Sequence, residues 1–156
     1  LLARADRLGP GSGARMRGWW RVALAAEAVG TMSAALGVTV AYLKERRQFG
    51  RAIGSFQAVQ HRLAQCAVAV EGARWLMLEA AWHGARPEDA AVAAAHATAA
   101  AGTVFRETHQ LSGAIGYTRE HDLHVWSMRL QALRLELAGA AAQRRAVAES
   151  RWLGRA

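Results

Sequence analysis

Apolar residues recur at helical spacing through most of this 156-residue chain, and only two prolines interrupt the pattern. A stripe of apolar residues at every third or fourth position is typical of an α-helix that buries one face. Alanine, the strongest helix former, is abundant, and 53% of all residues are hydrophobic. The sequence therefore predicts an all-α fold in one domain with a sizeable core, and little or no β-sheet.

Glycine-rich segments divide the chain into a leading tail and a helical domain. Residues 1–17 are rich in glycine, serine and arginine and are predicted to form a linker or tail, with the helical domain at 18–156. A first helix is predicted over residues 18–47, where basic residues suit the helix C-terminus. Ser55 is predicted to be the N-cap of a second helix that ends near Trp82.

The second half of the chain predicts two more long helices. Pro87, with Glu88 and Asp89 behind it in the first turn, opens a third helix. Because the faces of this helix are almost all alanine, it can approach its neighbours closely and is predicted at the centre. After the loop "SGAIGYT", one helix is predicted that is interrupted near Gly139, or two helices stacked end to end. Short connections then favour an antiparallel four-helix bundle.

The chain is strongly basic, with a formal net charge of +8 carried by nineteen arginines and a single lysine. Such a charge raises the hypothesis of a polyanionic partner such as nucleic acid or a phosphate-bearing cofactor. The arginines are scattered and form no basic run, and a composition biased toward arginine and alanine accounts for the same charge. We therefore expect no nucleic-acid partner.

The number of cysteines and the hydropathy of the sequence indicate the cellular compartment of the protein. Cys66 is the only cysteine and lies in an apolar helical stretch, which gives neither a disulfide framework nor a thiol-rich metal site. No run reaches the roughly 18 unbroken apolar residues of a membrane span, and the start lacks the order of a signal peptide. We expect a cytoplasmic protein without a membrane partner. Because the chain begins with Leu1, we also expect its front to be missing or processed.

Two glycine loops, "QFGRAIG" and "SGAIGYT", each lie at a helix junction with an arginine and a glutamine close by. Glycine lets backbone approach a ligand, and arginines beside a helix N-terminus form a phosphate site. Glycine caps at the turns of a helical hairpin explain the same spacing without a ligand. From spacing alone both interpretations remain open.

Metal binding and aromatic packing are further alternatives. Imidazoles and carboxylates lie within one turn of each other at Glu120, His121, Asp122 and His124, but their spacing matches no zinc signature, and we expect no metal. The other histidines are isolated and are predicted to be satisfied surface or core groups: His61, His83, His96 and His109. Trp75, Trp82 and Trp126 are predicted to be packing anchors or part of an oligomer interface, with a cofactor platform as the alternative.

The segments "YLKERRQFGRAIGSFQAVQHRLAQ" and "HQLSGAIGYTREHDLHVWSMR" resemble two motifs of the C-terminal helical domain of acyl-CoA dehydrogenases. The motifs fall in the order and separation of that family, and the likeness covers about residues 18–135. The resemblance implies a flavoprotein parent, an FAD-dependent oxidoreductase of lipid metabolism and fatty acid β-oxidation, which oxidises acyl-CoA thioesters at the α,β carbons. It also implies assembly into homo- or hetero-oligomers, dimers or tetramers.

Carried over residue by residue, the resemblance implies a set of cofactor-binding side chains. Arg46 and Gln57 would contact the adenosine-diphosphate portion of FAD, commonly from a neighbouring subunit, with Phe49 close to the cofactor. The second motif would approach the adenosine end of the same cofactor with Gln110, Gly113 and Gly116. A guanidinium is a good partner for a pyrophosphate, and glycine lets backbone amides come near it.

The sequence departs from the family pattern at the catalytic base. The usual glutamate would fall near Leu137 or Ala138 and an alternative family position near Trp20, none of which can remove a proton. Glu136 is a candidate base if the helix register shifts, and a surface glutamate is the alternative, since one position turns a side chain by about 100°. The N-terminal helical domain and the β-domain are also lacking, so we expect the chain alone to be inactive. A non-catalytic partner subunit or assembly module of a heteromeric enzyme is the alternative function.

Overall fold

A computed structural model describes residues 9–153, in which five α-helices and one short β-hairpin are present. The elements are α1 (Ser12–Glu45), β1 (Arg47–Gln48), β2 (Arg51–Ala52), α2 (Gln57–Trp82), α3 (Pro87–Ser112), α4 (Leu123–Glu136) and α5 (Gly139–Ala148). Antiparallel pairing joins Arg47 to Ala52 and Gln48 to Arg51. The all-α prediction is confirmed, and sheet is limited to this hairpin in the described residues.

The helices form an antiparallel bundle in which α4 and α5 together make the fourth rod. The start of α1 lies against Ala85, just before α3, and the end of α1 shares a cleft with the end of α3, so these two helices run parallel. Arg129 in α4 reaches back to Glu27 near the middle of α1, and α2 and α4 run antiparallel to this pair. The predicted bundle architecture is therefore confirmed.

Helix α3 is the central helix, as its alanine content predicts. It makes the most extensive contacts with α1 and α2 and also touches α4 and α5. Its buried residues lie on nearly every face and are mostly small: Ala90, Ala91, Ala93, Ala94, Ala97, Thr98, Ala100, Ala101, Gly102, Val104, Thr108, His109 and Ser112. Small side chains allow neighbouring backbones to approach, so the bulkier core residues come from α1 and α4.

The fourth rod is broken after Glu136, close to the predicted interruption. Ala138 and Gly139 both have positive φ, 57° and 76°, which ends α4 and starts α5. The side-chain amide of Gln143 donates to the backbone carbonyl of Leu137 and holds this break together. Arg134 of α4 lies over Gly102, whereas Arg151 beyond α5 pairs with Glu88 at 2.6 Å. The two helices therefore follow α3 one after the other, as the stacked alternative predicts.

Two boundaries differ from the sequence prediction. Helix α1 begins at Ser12, so residues 12–17, which were predicted to be linker or tail, are helical. Of the rest of that segment, residues 9–11 precede the helix as an exposed turn, and residues 1–8 lie outside the described residues. Alanine, arginine and methionine in residues 12–17 favour helix strongly enough to offset the glycine there. Ser55 is not the N-cap of α2, because its hydroxyl donates to the carbonyl of Ala52 at 2.7 Å within a 3₁₀ turn, and Phe56 takes the cap position.

The tryptophan prediction is only partly confirmed. Trp126 is partly buried and packs against the main core. Trp75 and Trp82 are 67% and 88% exposed, so they are not packing anchors of this domain. The reason is the helical period: α2 buries Cys66, Val70, Ala73 and Ala80, and both tryptophans lie on the opposite face.

Helix α1 is long and apolar enough to cross a membrane when judged by length and composition alone. Half of its most apolar window is buried against other helices of the bundle. The core helix of a helical bundle satisfies the same criterion, so this observation is weak support for a membrane span.

Candidate cofactor-binding cleft

A hairpin at the end of α1 positions the first predicted cofactor-binding residue, Arg46. Its backbone N–H donates to the carbonyl of Tyr42 at 2.8 Å, and its φ and ψ of −66° and 120° turn the chain out of the helix. The carbonyl of Arg46 then accepts from the N–H of Ile53 at 2.8 Å, which ties the hairpin back to α1. The guanidinium is thus carried by backbone that is fixed on both sides.

Phe49 forms the tip of this hairpin. It has a left-handed φ of 55° and is followed by Gly50 with a φ of 78°. A bulky residue in the left-handed region is uncommon and costs conformational energy. The ring is 90% exposed and touches Phe56 edge-on, with centroids 6.2 Å apart, while the Arg51 guanidinium lies 3.9 Å above the Phe56 ring. The hairpin therefore presents an aromatic side chain and basic groups to the surroundings.

The two glycine loops meet in one cleft of about 400 Å³. Arg46, Gln48 and Ile53 line it from the hairpin side. The opposite wall is the segment from Leu111 to Ile115, at the end of α3 and the start of the following 3₁₀ turn. Loops far apart in sequence therefore face each other, as a shared ligand site requires.

Gly113 and Ser112 are the two residues of the second wall with unusual backbone or hydrogen-bonding properties. Gly113 has φ 65° and ψ −147°, a backbone region that is essentially restricted to glycine, and a Cβ there would meet no atom within 4 Å. The glycine is thus required by its conformation and leaves the cleft open at this point. Ser112 is buried, yet its hydroxyl has no hydrogen-bond partner within residues 9–153. Such a group is costly unless a ligand or water satisfies it.

The hairpin side of the cleft is electropositive. Lys44, Arg46, Arg47 and Arg51 are all exposed, and none of them forms a salt bridge with another side chain among the described residues. Guanidinium groups without a protein carboxylate are free to pair with an anionic ligand. The cleft therefore combines three groups that can bind a phosphate or pyrophosphate: the guanidinium of Arg46, the backbone at Gly113 and the hydroxyl of Ser112.

The other implied cofactor residues lie outside the lining of this cleft. Gln57 is exposed in the first turn of α2, and Gln110 is exposed just before Leu111. Gly116 is buried, where a Cβ would come within 2.9 Å of Ser112 Cβ, so its local role is close packing. Their contacts with a cofactor stay predictions, as does that of Phe49.

Glu136, the candidate base, belongs to an ion-pair network on the surface between α1 and α4. Arg129 donates to Glu136 at 2.7 Å and, through its other nitrogens, to both carboxylate oxygens of Glu27. The hydrogen bonds from Arg129 lower the pKa of Glu27 below its ordinary value; burial opposes this shift, and the charge of Arg129 adds to it. Glu136 is thus held by a cation and points away from the core.

Leu137, the implied position of the family base, is 2% exposed and belongs to the main hydrophobic core. It continues the apolar series of Leu123, Leu130 and Leu133 on the inner face of α4. A side chain in this register faces the bundle interior, whereas Ala138 is exposed and carries no titratable group. The described part of the chain therefore places no carboxylate at the expected site of the base.

The acidic and histidine-rich start of α4 is explained by local hydrogen bonds. His121 accepts from the N–H of Leu123 at 3.3 Å, and His124 Nδ1 lies 2.9 Å from the carbonyl of His121. Across residues 9–153, no group of three histidine, cysteine or acidic side chains is placed to hold a metal ion.

Sequence reasoning missed Ser112 and His109. Ser112 is the first residue of the loop "SGAIGYT" and does not stand out in the sequence. Only the three-dimensional structure shows that its hydroxyl has no partner among the described residues. His109 was predicted to be satisfied, which is wrong: neither ring nitrogen has a hydrogen-bond partner in the described chain. His83 and His96, by contrast, lie 3.0 Å from Asp89 and 3.2 Å from the Ala69 carbonyl.

Comparison with known proteins shows the family of this chain. Residues 15–151 match the family described as "Acyl-CoA dehydrogenase, C-terminal domain". The acyl-CoA dehydrogenase IpdE2 of Mycobacterium tuberculosis is 44% identical over 108 residues, which cover 69% of this chain and 34% of that protein.

Two solved structures are similar over nearly the whole chain. A variant of the Tcur3481-Tcur3483 steroid ACAD superposes with a TM-score of 0.86 and 36% identity, covering 91% of this chain and 40% of that one. The ChsE4-ChsE5 complex from Mycobacterium tuberculosis gives a TM-score of 0.86 and 29% identity, covering 95% and 41% of the respective chains.

The fold is that of the helical domain found in the similar acyl-CoA dehydrogenase structures. The chain belongs to the acyl-CoA dehydrogenase family and corresponds to its C-terminal domain. It spans about a third of the length of the IpdE2 relative and two fifths of the chains in the two solved structures.

The residues of the cleft fit the diphosphate part of FAD. The Ser112 hydroxyl is an unpartnered buried group that a phosphate oxygen could satisfy, and Arg46 offers a guanidinium free of protein carboxylates within residues 9–153. Gly113 adds backbone without a side chain beside it. The chemistry of this donor set matches an anionic cofactor group.

Proposed function

We propose that this chain is the FAD-contacting and oligomerising C-terminal domain of an acyl-CoA dehydrogenase-like flavoprotein. The observation that carries the proposal is the cleft that Arg46 lines together with Ser112 and Gly113. Both walls come from the motifs that resemble the cofactor-binding motifs of the family. A bound flavin would supply the redox chemistry for α,β-dehydrogenation of an acyl-CoA thioester by the parent enzyme. The role of this chain is to hold and orient the cofactor.

Arg46→Ala is expected to weaken retention of FAD by about tenfold or more in the assembled flavoprotein, because a charge-assisted hydrogen bond is lost. The measurement is the FAD-to-protein ratio after dialysis, followed by titration with FAD and fluorescence detection.

Arg47→Ala is the matched control for Arg46→Ala. Arg47 is the adjacent exposed arginine, and it does not line the cleft. Since both changes remove the same charge from the same hairpin, a general electrostatic effect would weaken FAD retention equally. Equal losses, or no loss with Arg46→Ala, would contradict the assignment of Arg46 to the cofactor.

The proposed oligomerising role rests on an apolar stripe of α2. Val68, Trp75, Leu78 and Trp82 are between 45% and 88% exposed and lie on one face, about one or two helical turns apart. Contiguous exposed apolar side chains of this size mark surfaces that are covered by another protein segment. A subunit interface on this face accounts for tryptophans that contribute little to the core of the domain.

A second candidate function is that of a non-catalytic subunit that supports a catalytic partner. The burial of Leu137 favours it, because the implied position of the base is occupied by a core residue. The similar ChsE4-ChsE5 structure is a complex of two different subunits. In this alternative the chain still binds the cofactor from its side, and the base belongs to the partner.

Glu136→Gln separates the two functions. If the base lies on another subunit, acyl-CoA dehydrogenation by the assembled enzyme should stay within about twofold of wild type, since only a surface ion pair is lost. If Glu136 is the base, the rate should fall by on the order of 10²–10⁴. The Arg129→Gln variant is the control: it removes the ion pair and keeps the carboxylate, so a loss common to both variants would be structural.

A further inference from the structure

A second cavity, of about 500 Å³, lies on the other side of the glycine turn that follows α3. Its walls come from the last turns of α3, the end of the Gly113–Tyr117 turn and the first half of α4. It has no lining residue in common with the cofactor-binding cleft. We call it the His109 cavity after the residue at its base.

His109 is the only histidine in residues 9–153 that lacks a hydrogen-bond partner while it is buried. It is 7% exposed, and neither Nδ1 nor Nε2 has a partner in the described chain. Its ring lies between those of Phe105 and Tyr117, with centroid distances of 4.6 Å and 4.9 Å. The imidazole thus packs against two aromatic rings, and both of its nitrogens are buried without a hydrogen-bond partner among the described residues.

The charge state of His109 limits what it can bind. Burial lowers the pKa of His109; the backbone of Gly116 opposes this shift but does not reach hydrogen-bond geometry. The ring is therefore neutral at neutral pH and offers one donor and one acceptor. A hydroxyl group, which also combines one donor with acceptor capacity, is its natural complement.

The rest of the cavity is largely apolar. Phe105 is half-buried in its wall, and the side chains of Tyr117 and Met128 are 75% and 67% exposed. Aromatic rings and a thioether are good contacts for the face of a ligand ring. Within the described chain no carboxylate lines the cavity, and its one formal charge, on Arg119, is at an exposed position. The cavity is also lined by four uncharged polar or imidazole side chains: Thr118, His124, Ser127 and Gln131. Walls of this composition favour an uncharged flat molecule that also carries a polar group.

We propose that the His109 cavity binds a small uncharged aromatic molecule that carries a hydroxyl group. The hydroxyl hydrogen-bonds to the imidazole of His109, and the ring packs against Phe105, Tyr117 and Met128. This site is additional to the cofactor-binding cleft and does not depend on the proposed function of the chain.

The test uses phenol as the probe and benzene as its isostere without the hydroxyl. In the 156-residue chain, side-chain ¹⁵N spectra of the histidines should show a shift of the His109 signals on adding phenol and no comparable shift on adding benzene. This measurement needs no variant, so it remains decisive even if a substitution at His109 impairs folding. Absence of a His109 shift at saturating phenol overturns the proposal.

A second test of the proposal measures phenol binding to a variant of His109. His109→Phe keeps an aromatic ring of similar size and removes both nitrogens, and we expect it to bind phenol about tenfold more weakly than wild type, with benzene unchanged. His61→Phe is the matched control, because His61 is exposed on α2 and does not line the cavity. Equal phenol affinity in the His109→Phe variant and wild type overturns the proposal.

Discussion

Replacing Gly18 with alanine is expected to destabilise the domain, because the new Cβ would lie 2.2 Å from the carbonyl oxygen of Ala85. This oxygen belongs to the backbone and cannot rotate aside as a flexible side chain would. Either α1 or the turn before α3 must move, which disturbs the small core that Val22, Ala80 and Ala90 form nearby. We expect a loss of about 1–3 kcal/mol in the free energy of unfolding, measured by urea titration with circular dichroism.

Gly30→Ala is the control for this substitution. Gly30 lies in the same helix, and a Cβ added there meets no atom within 4 Å. The free energy of unfolding should rise by about 0.5–1 kcal/mol, since alanine is the better helix former. If the two variants were equally stable, α1 would not approach the turn as closely as the structure shows.

Truncating Leu130 to alanine should have the largest effect on stability. Leu130 is fully buried and joins α4 to the main core together with Leu133 and Leu123. Removing three heavy atoms from a packed interior loses their burial and leaves a cavity, so we expect a loss of about 2–5 kcal/mol in the free energy of unfolding. The same urea titration measures it.

Leu135→Ala tests the assigned register of α4. Leu135 is 81% exposed on the same helix, so the identical chemical change should alter the free energy of unfolding by no more than about 0.5 kcal/mol. If Leu135→Ala were the more damaging variant, the helix would be rotated. That result would also move Glu136 toward the interior and reopen its assignment as the base.

The helices were predictable because their signals are local. The apolar period, the two glycine loops and Pro87 at the start of α3 all act through short-range backbone preferences. The alanine faces of α3 also predicted its central position correctly, since only small residues let helices surround it. The early start of α1 was missed because the glycines of residues 1–17 were interpreted as linker, although Gly13 lies within the helix.

The candidate site was predictable only in part. Resemblance to the family motifs identified Arg46 and Gly113, and the structure brings both to one cleft. What single residues cannot reveal is which polar groups lose all partners on folding. Ser112 and His109 gain their significance from being buried without a hydrogen-bond partner among the described residues. Trp75 shows the converse, because a large aromatic side chain can lie on an exposed face whenever the helical period places it there.

Alanine has no side-chain rotamers to lose, so α3 enters the centre of the bundle without the conformational entropy cost that leucine or methionine would carry. Its methyl groups also remove little apolar surface from water. The favourable free energy of burial is therefore concentrated in a few large side chains of the surrounding helices, such as Met32 and Leu130. Most substitutions of a buried alanine in α3 would add side-chain volume at the centre of the domain. We therefore expect α3 to tolerate fewer substitutions than the surrounding helices.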